Sequence, residues 1–366
     1  MAKKKDQYSF DIRFPAAFGS GLAAALLFAA ARRQEAFAGL LLASLSPLPI
    51  MIATLSFGRA AGLGAAVAAA VTIGALVIAA TTAAFSAKVV AAACIAGFIY
   101  AIFLSLPSWW FAYLAGAGRS RVVVPWISSL LHRSHDKLAE SATRPSPRQH
   151  CPFGDILVSI AFVAFVIVTA VTVALILQQP SYEAAISKAV AHVEPLIGQM
   201  LGSRGLPEHI QRATLARMVV ESMPATASSV IVLAFAVDLW IAGRVADLSR
   251  RLPFPWPDIP QGLHVPRICA LVFFSCIIVS FLPALPGIIG SIGAATLGLV
   301  FVLQGLAVVH DLSRGMKFRT ALLTGIYVAI VLLMPWPLII FALIGLAEAG
   351  FGLRDRKKAA ALSPEN

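Results

Sequence analysis

Two polar side chains sit inside long apolar runs, and each could do chemistry there. Asp238 stands in Ala236-Val-Asp-Leu-Trp-Ile-Ala-Gly-Arg244, with Arg244 as its nearest basic neighbour in the chain. A carboxylate in hydrocarbon costs roughly 3 kcal/mol even on insertion scales, so it is retained for a reason. It is either a hydrogen-bonded or Arg-paired packing element, or a contact for an ion or a substrate. Gln304, in Leu303-Gln-Gly-Leu-Ala-Val-Val-His310, is cheaper to bury. Its amide donates and accepts, which suits either a bridge between helices or a ligand contact. Pro47 and Pro49 interrupt the middle of another apolar run at Leu45-Ser-Pro-Leu-Pro-Ile50. Each removes an amide donor and frees a carbonyl, the device by which broken helices in transporters bind substrate at depth. Pro47, Pro49, Asp238 and Gln304 form the candidate substrate or packing site.

The remaining polar groups read as structural. His310 falls at a helix end, where a cation suits the helix dipole, and Glu348 lies close enough to a membrane interface to be solvated. His132, His135 and Asp136, with His150 and Cys151 downstream, superficially resemble metal ligands, but they occupy a polar segment without a second matching pair. Cys269 and Cys276 share a helix face at a spacing that fits packing. The four cysteines indicate no disulfide framework. No P-loop, HExxH, GxSxG or dinucleotide fingerprint stands in a supporting context, so the chain carries no expected cofactor, metal or enzymatic activity.

Holding those residues at depth requires spanning helices, and composition supplies them. The chain is 59% hydrophobic and 13% charged, a balance wrong for a soluble fold. Apolar runs of about 20 residues, enough to cross roughly 30 Å of hydrocarbon, recur along it. They predict helices at Phe14 to Ala31, Phe37 to Phe57, Leu63 to Phe85, Val89 to Ala115 and Phe153 to Leu177. Further ones fall at Ala225 to Val245, Val265 to Phe281, Gly287 to Val309, Ala321 to Met334 and Trp336 to Gly350. The expected fold is all-α, a polytopic transmembrane helical bundle of about ten spans. The last two runs are short, and Met334-Pro335-Trp336-Pro337 between them reads as the turn of a hairpin. In the first run, Ala16, Gly19, Ser20 and Ala23 have the small side chains and near four-residue spacing of a close helix contact. Lys3 to Lys5 before that run could imitate a signal peptide, but the run is long and further spans follow at once, so it reads as a span.

Basic residues orient the bundle. With both termini cytoplasmic, the outside keeps Arg32, Arg33, Lys88, Lys188, Arg204, Arg212 and Arg217, and the other 22 of the 29 lie inside. The net charge of +12 is thus spread over short clusters that set topology and meet anionic lipid, with no continuous face for nucleic acid. The expected organisation is a basic N-terminus at 1–13, a four-span part at 14–115, a polar basic loop at 116–152 read as disordered, a six-span part at 153–350 and a basic tail at 351–366. Within the six-span part, 179–223 is read as external amphipathic helices. Ile186, Ala189, Val190 and Val193 repeat on one face, and Pro207 opens a second helix carrying Ile210, Ala213, Thr214 and Met218.

The segments Leu45–Ile50, Ala236–Arg244 with Pro253-Phe-Pro-Trp-Pro257 after it, and Leu303–His310 together resemble the bacterial membrane family known as domain of unknown function 2232 (YybS-like), from about Phe37 to Gly350. Asp238 departs from the Asn that relatives carry ahead of the Leu-Trp pair. The resemblance extends distantly to the S components of energy-coupling-factor transporters. It implies a small-molecule binding or transport subunit in the cell (inner) membrane, with the lipid bilayer and other membrane subunits as partners. The alternative is a non-catalytic envelope scaffold or assembly protein. A membrane enzyme acting on lipid-linked substrates would need polar groups clustered at one interface, and the chain shows no such set.

Overall fold

A computed structural model describes residues 4–81, 86–117, 153–201, 211–252 and 255–362. The segment carrying His132, His135, Asp136, His150 and Cys151 lies outside the described residues, as does Pro207. The described residues are all-α and divide into two compact units, 1–160 with 233–262, and 161–232 with 263–366.

The chain is a multi-pass membrane protein. Among the described residues seven helices are long and apolar enough to cross a membrane: Arg13–Ala31, Phe37–Phe57, Arg59–Ala80, Ala87–Ala117, Phe153–Leu177, Arg212–Leu248 and Ala284–Leu312. Three shorter apolar helices are Ile268–Ser280, Arg319–Leu333 and Trp336–Phe351. At about 1.5 Å per residue they reach only some 20–24 Å. The run Val265 to Phe281 falls short because Pro266 precedes the helix and Phe281-Leu282-Pro283 follows it, leaving 13 helical residues. Large apolar side chains, among them Phe98, Leu175, Ile278 and Val331, stand exposed along these helices. Such a surface suits hydrocarbon and would aggregate in water.

In the first unit α1 (Lys4–Ala31) packs against α4 (Arg59–Ala80). The close approach is made by Gly21, where a Cβ would collide with the Ala65 carbonyl, while Gly19 meets nothing within 4 Å. The small-residue face is therefore Ala17, Gly21, Ala24 and Ala25, all buried, and not the face of Gly19 and Ala23, which are exposed. Four-residue spacing was available on both faces; packing against α4 selects one.

Between these helices the second span is broken. Helix α2 (Ala36–Ser44) stops and α3 (Leu48–Phe57) restarts with Pro47 at its N-cap and Pro49 in its first turn. Proline is tolerated there because the first-turn amides have no intrahelical partner. Helix α5 (Ala87–Tyr100) runs through a π turn (Ala101–Ser105) into α6 (Leu106–Ala117). Pro107 accounts for the bulge: it lacks a donor and its ring crowds the preceding turn, so one extra residue widens the helix before it.

In the second unit α8 (Tyr182–Leu201) follows α7 (Phe153–Leu177). Its Ile186, Ala189, Val190 and Val193 pack with Val168, Val220, Ile288 and Ile292, the face that the periodicity marks. The helix expected to open at Pro207 is not separate: α9 (Arg212–Leu248) runs unbroken through Pro224. On either side of that proline the hydroxyls of Ser222 and Thr226 fold back onto their own helix, donating to the carbonyls of Val219 and Ser222. Then come α10 (Ile268–Ser280), α11 (Ala284–Leu312), α12 (Arg319–Leu333), α13 (Trp336–Phe351) and α14 (Leu353–Leu362). Helices α12 and α13 are distinct, parted at Met334 and Pro335. Helices α11 and α13 cross at Gly305 and Gly345, where a Cβ on either would collide with the carbonyl of Phe341 or Phe301 across the crossing.

Candidate functional site

The break between α2 and α3 is polar at its centre. Ser46, fully buried, lies between the two helix ends, and its hydroxyl is 3.0 Å from the Ala24 carbonyl and 2.7 Å from the Tyr100 hydroxyl. A carbonyl can only accept, so Ser46 donates to Ala24 and Tyr100 must donate to Ser46. Tyr100 ends α5 immediately before the π turn, and Phe28 meets its ring edge at 5.0 Å. Ser105, at the far end of that turn, is buried and its hydroxyl has no partner among the described residues. The first unit thus joins a proline-broken helix to a distorted one through a hydroxyl pair.

Asp238 belongs to the same unit, on α9, and is 1% exposed. Its Oδ2 has no hydrogen-bond partner among the described residues. Arg244 instead faces Asp247, 3.8 Å away, so the arginine nearest in sequence does not neutralise Asp238. Near it on the same helix, Phe235 meets Phe111 edge-on at 5.5 Å and Gly243 lies flush against the Trp256 ring, close enough that a Cβ would collide with it. Apolar packing holds this stretch of α9, and Asp238 Oδ2 contributes no hydrogen bond to it among the described residues.

Gln304 falls in the second unit, so the four expected site residues do not share one unit. It is 1% exposed, with Oε1 unpartnered among the described residues, and it adjoins the Gly305–Gly345 crossing. The same helix carries Thr296, whose hydroxyl lies 3.0 Å from that of buried Ser228 on α9. His310 bonds Tyr327 at 2.9 Å, tying α11 to α12.

Two further charged residues turn inward. Glu348 is buried, not solvated as its place near the end of an apolar run suggests, and Arg354 is buried beside it at 2.7 Å. Arg354 Nη2 also donates to the Leu263 carbonyl at 2.6 Å, and His264 Nε2 stands 3.9 Å from Glu348. No run of the sequence marks Arg354, which sits in a basic stretch indistinguishable from a solvated tail. On α8, burial and then the neighbouring Glu221 carboxylate push the Tyr182 hydroxyl above its ordinary value, so it stays neutral.

These groups can bind, orient and neutralise. Among the described residues no cluster of three or more His, Cys, Asp or Glu could hold a metal.

No curated protein and no solved structure matches the chain. A family profile described as Predicted membrane protein (DUF2232) matches residues 149–348. That stretch contains the Asp238 and Gln304 segments, whereas Leu45–Ile50 precedes it, so the resemblance drawn from Phe37 onward is shown only from residue 149. With more than half of its length matched, the chain belongs to the membrane-protein family called domain of unknown function 2232.

Proposed function

We propose that this protein is a small-molecule binding or transport subunit of the cell (inner) membrane, working in the manner of the S components of energy-coupling-factor transporters. Asp238 provides the charged contact, and the Pro47–Pro49 break provides a turn between two helix ends in the same unit; Gln304 is a separate polar contact in the other unit. The observation that carries this reading is a carboxylate 1% exposed whose Oδ2 has no hydrogen-bond partner among the described residues. A packing carboxylate would spend its hydrogen bonds on neighbours, whereas one held for a ligand leaves them open. The ligand class that fits is cationic or rich in donors.

The basic residues favour both termini inside and about ten crossings. Parity supports the three short helices as crossings, because seven crossings from a cytoplasmic N-terminus would put Arg354 to Lys358 outside. Thinning of the bilayer accommodates spans of this length at modest cost. ATP hydrolysis then belongs to partner subunits.

The test is thermal stabilisation of the purified protein across a panel of cationic vitamins, amines and other metabolites, together with recovery of partners from native membranes. Stabilisation by one chemical class, lost in Asp238→Asn, and co-purification of an ATPase support the proposal. An unresponsive protein that brings down no ATPase overturns it and favours an envelope scaffold.

A further inference from the structure

The second unit contains a cavity of about 380 Å³ under α8, at the lower end of the size range for ligand pockets. Its floor is apolar, formed by Ile176, Ile186, Val220 and Ile288 from four helices. Its rim is polar, with Gln178 and Gln179 just past the end of α7, and Lys188 and His192 one turn apart on α8. The change from Leu175 and Ile176 to Gln178 and Gln179 marks the level at which a spanning helix leaves hydrocarbon for headgroups. A pocket with its apolar floor on one side of that level and its polar rim on the other has the polarity profile of a lipid.

The rim also has a charge to satisfy. Glu183 and Glu221 are both committed to Arg217, at 3.0 Å and 2.8 Å, and Lys188 forms no ion pair among the described residues. His192 Nδ1 lies 2.8 Å from the Lys188 carbonyl, which can only accept. Nδ1 therefore donates to it, and Nε2 is the nitrogen left to meet a ligand. Lys188 offers a cation and His192 a second polar contact on the same helix face.

We infer that this cavity binds an anionic lipid of the surrounding bilayer, with an acyl chain over Ile176 and Ile288 and the headgroup against Lys188 and His192. The site is independent of Asp238 and stands whether or not a small molecule is transported. A soluble anion would find the Lys188 rim but gain nothing from the floor; a zwitterionic lipid would find the floor but meet an unbalanced cation.

The experiment uses full-length protein in phosphatidylcholine vesicles containing a phosphatidylglycerol whose acyl chain carries a photoreactive diazirine. After illumination, labelled peptides are mapped. Label is expected on residues 172–192 above the level of the other spans, with a phosphatidylcholine analogue labelling them less. Lys188→Gln should lower the labelling about fivefold, the effect of one basic residue near anionic lipid. Ala189→Phe, which fills the cavity and keeps both polar residues, should remove it. Equal labelling by the two headgroups, label spread evenly over the lipid-facing helices, or labelling unchanged in Lys188→Gln would each overturn the inference. Size-exclusion elution checks that the variants remain folded, and Lys188→Gln, a change at an exposed rim position, decides the matter if Ala189→Phe does not fold.

Discussion

Glu348 and Arg354 form an ion pair of 2.7 Å in which each side chain is only 1% exposed. The contact depends on Gly352, whose φ of 60° reverses the chain at the end of α13 so that Arg354 returns beneath it. Arg354 then donates to Glu348 through Nε and through its backbone amide, and to the Leu263 carbonyl through Nη2. Arg354→Ala is expected to cost about 3–5 kcal/mol, because it strands a buried carboxylate. Glu348→Leu with Arg354→Met should cost less than Arg354→Ala alone. Unfolding midpoints of the detergent-solubilised protein rank the variants, and equal losses would reject a true buried pair.

Gly305 and Gly345 set the closest crossing between α11 and α13. Either one changed to alanine is expected to lower stability by roughly 1–3 kcal/mol, since the opposing atoms are backbone carbonyls that cannot swing aside. Gly325→Ala, where nothing lies within 4 Å, should be neutral or slightly stabilising. Melting curves of the three variants check the contrast.

The direction of the Ser46 network predicts unequal losses. Tyr100→Phe leaves the Ser46–Ala24 bond intact and should cost about 1 kcal/mol. Ser46→Ala strands the buried Tyr100 hydroxyl and removes the second donor to the Ala24 carbonyl, which keeps its own helical bond, and should cost about 2 kcal/mol. The double variant should cost less than Ser46→Ala alone, because Tyr100→Phe removes the hydroxyl that Ser46→Ala strands. A double-mutant cycle on unfolding free energies provides the comparison; strict additivity would refute the arrangement.

Asp238→Asn removes a charge that anchors no observed bond. It is expected to leave the melting temperature of the unliganded protein the same or higher, and to remove stabilisation by any cationic ligand found. A marked loss of unliganded stability would identify Asp238 as a packing element.

The orientation argued from Lys and Arg predicts labelling sides. In a background lacking the native cysteines, Lys188→Cys should react with a membrane-impermeant maleimide added to intact cells, and Lys357→Cys only after permeabilisation. The reverse pattern would invert the bundle.

Local physics made several elements legible in the residues alone. Hydropathy is a property of each segment and the bilayer, so the seven long spans can be read from runs of side chains without knowing what they touch. Proline chemistry is equally local, and the break at Pro47 and Pro49 appears where the residues place it. The apolar face of α8 follows from helical period, and its four marked residues pack inward. The family resemblance was visible in the Asp238 and Gln304 segments, both of which the matched region contains.

Other features depend on neighbours distant in sequence, and period or hydropathy carries no information about them. Either of two small-residue faces of α1 could pack, and only contact with α4 selects Gly21 over Gly19. Pro224 resembles a helix boundary, yet α9 runs unbroken through it. Asp238 and Gln304 suggest one site as buried polar residues, yet the chain's division assigns them to different units. Arg354 was indistinguishable from a solvated tail. Its charge was encoded in the residue, but its burial required the reversal at Gly352, the carboxylate of Glu348 and the carbonyl of Leu263 in one place, which only the tertiary structure supplies.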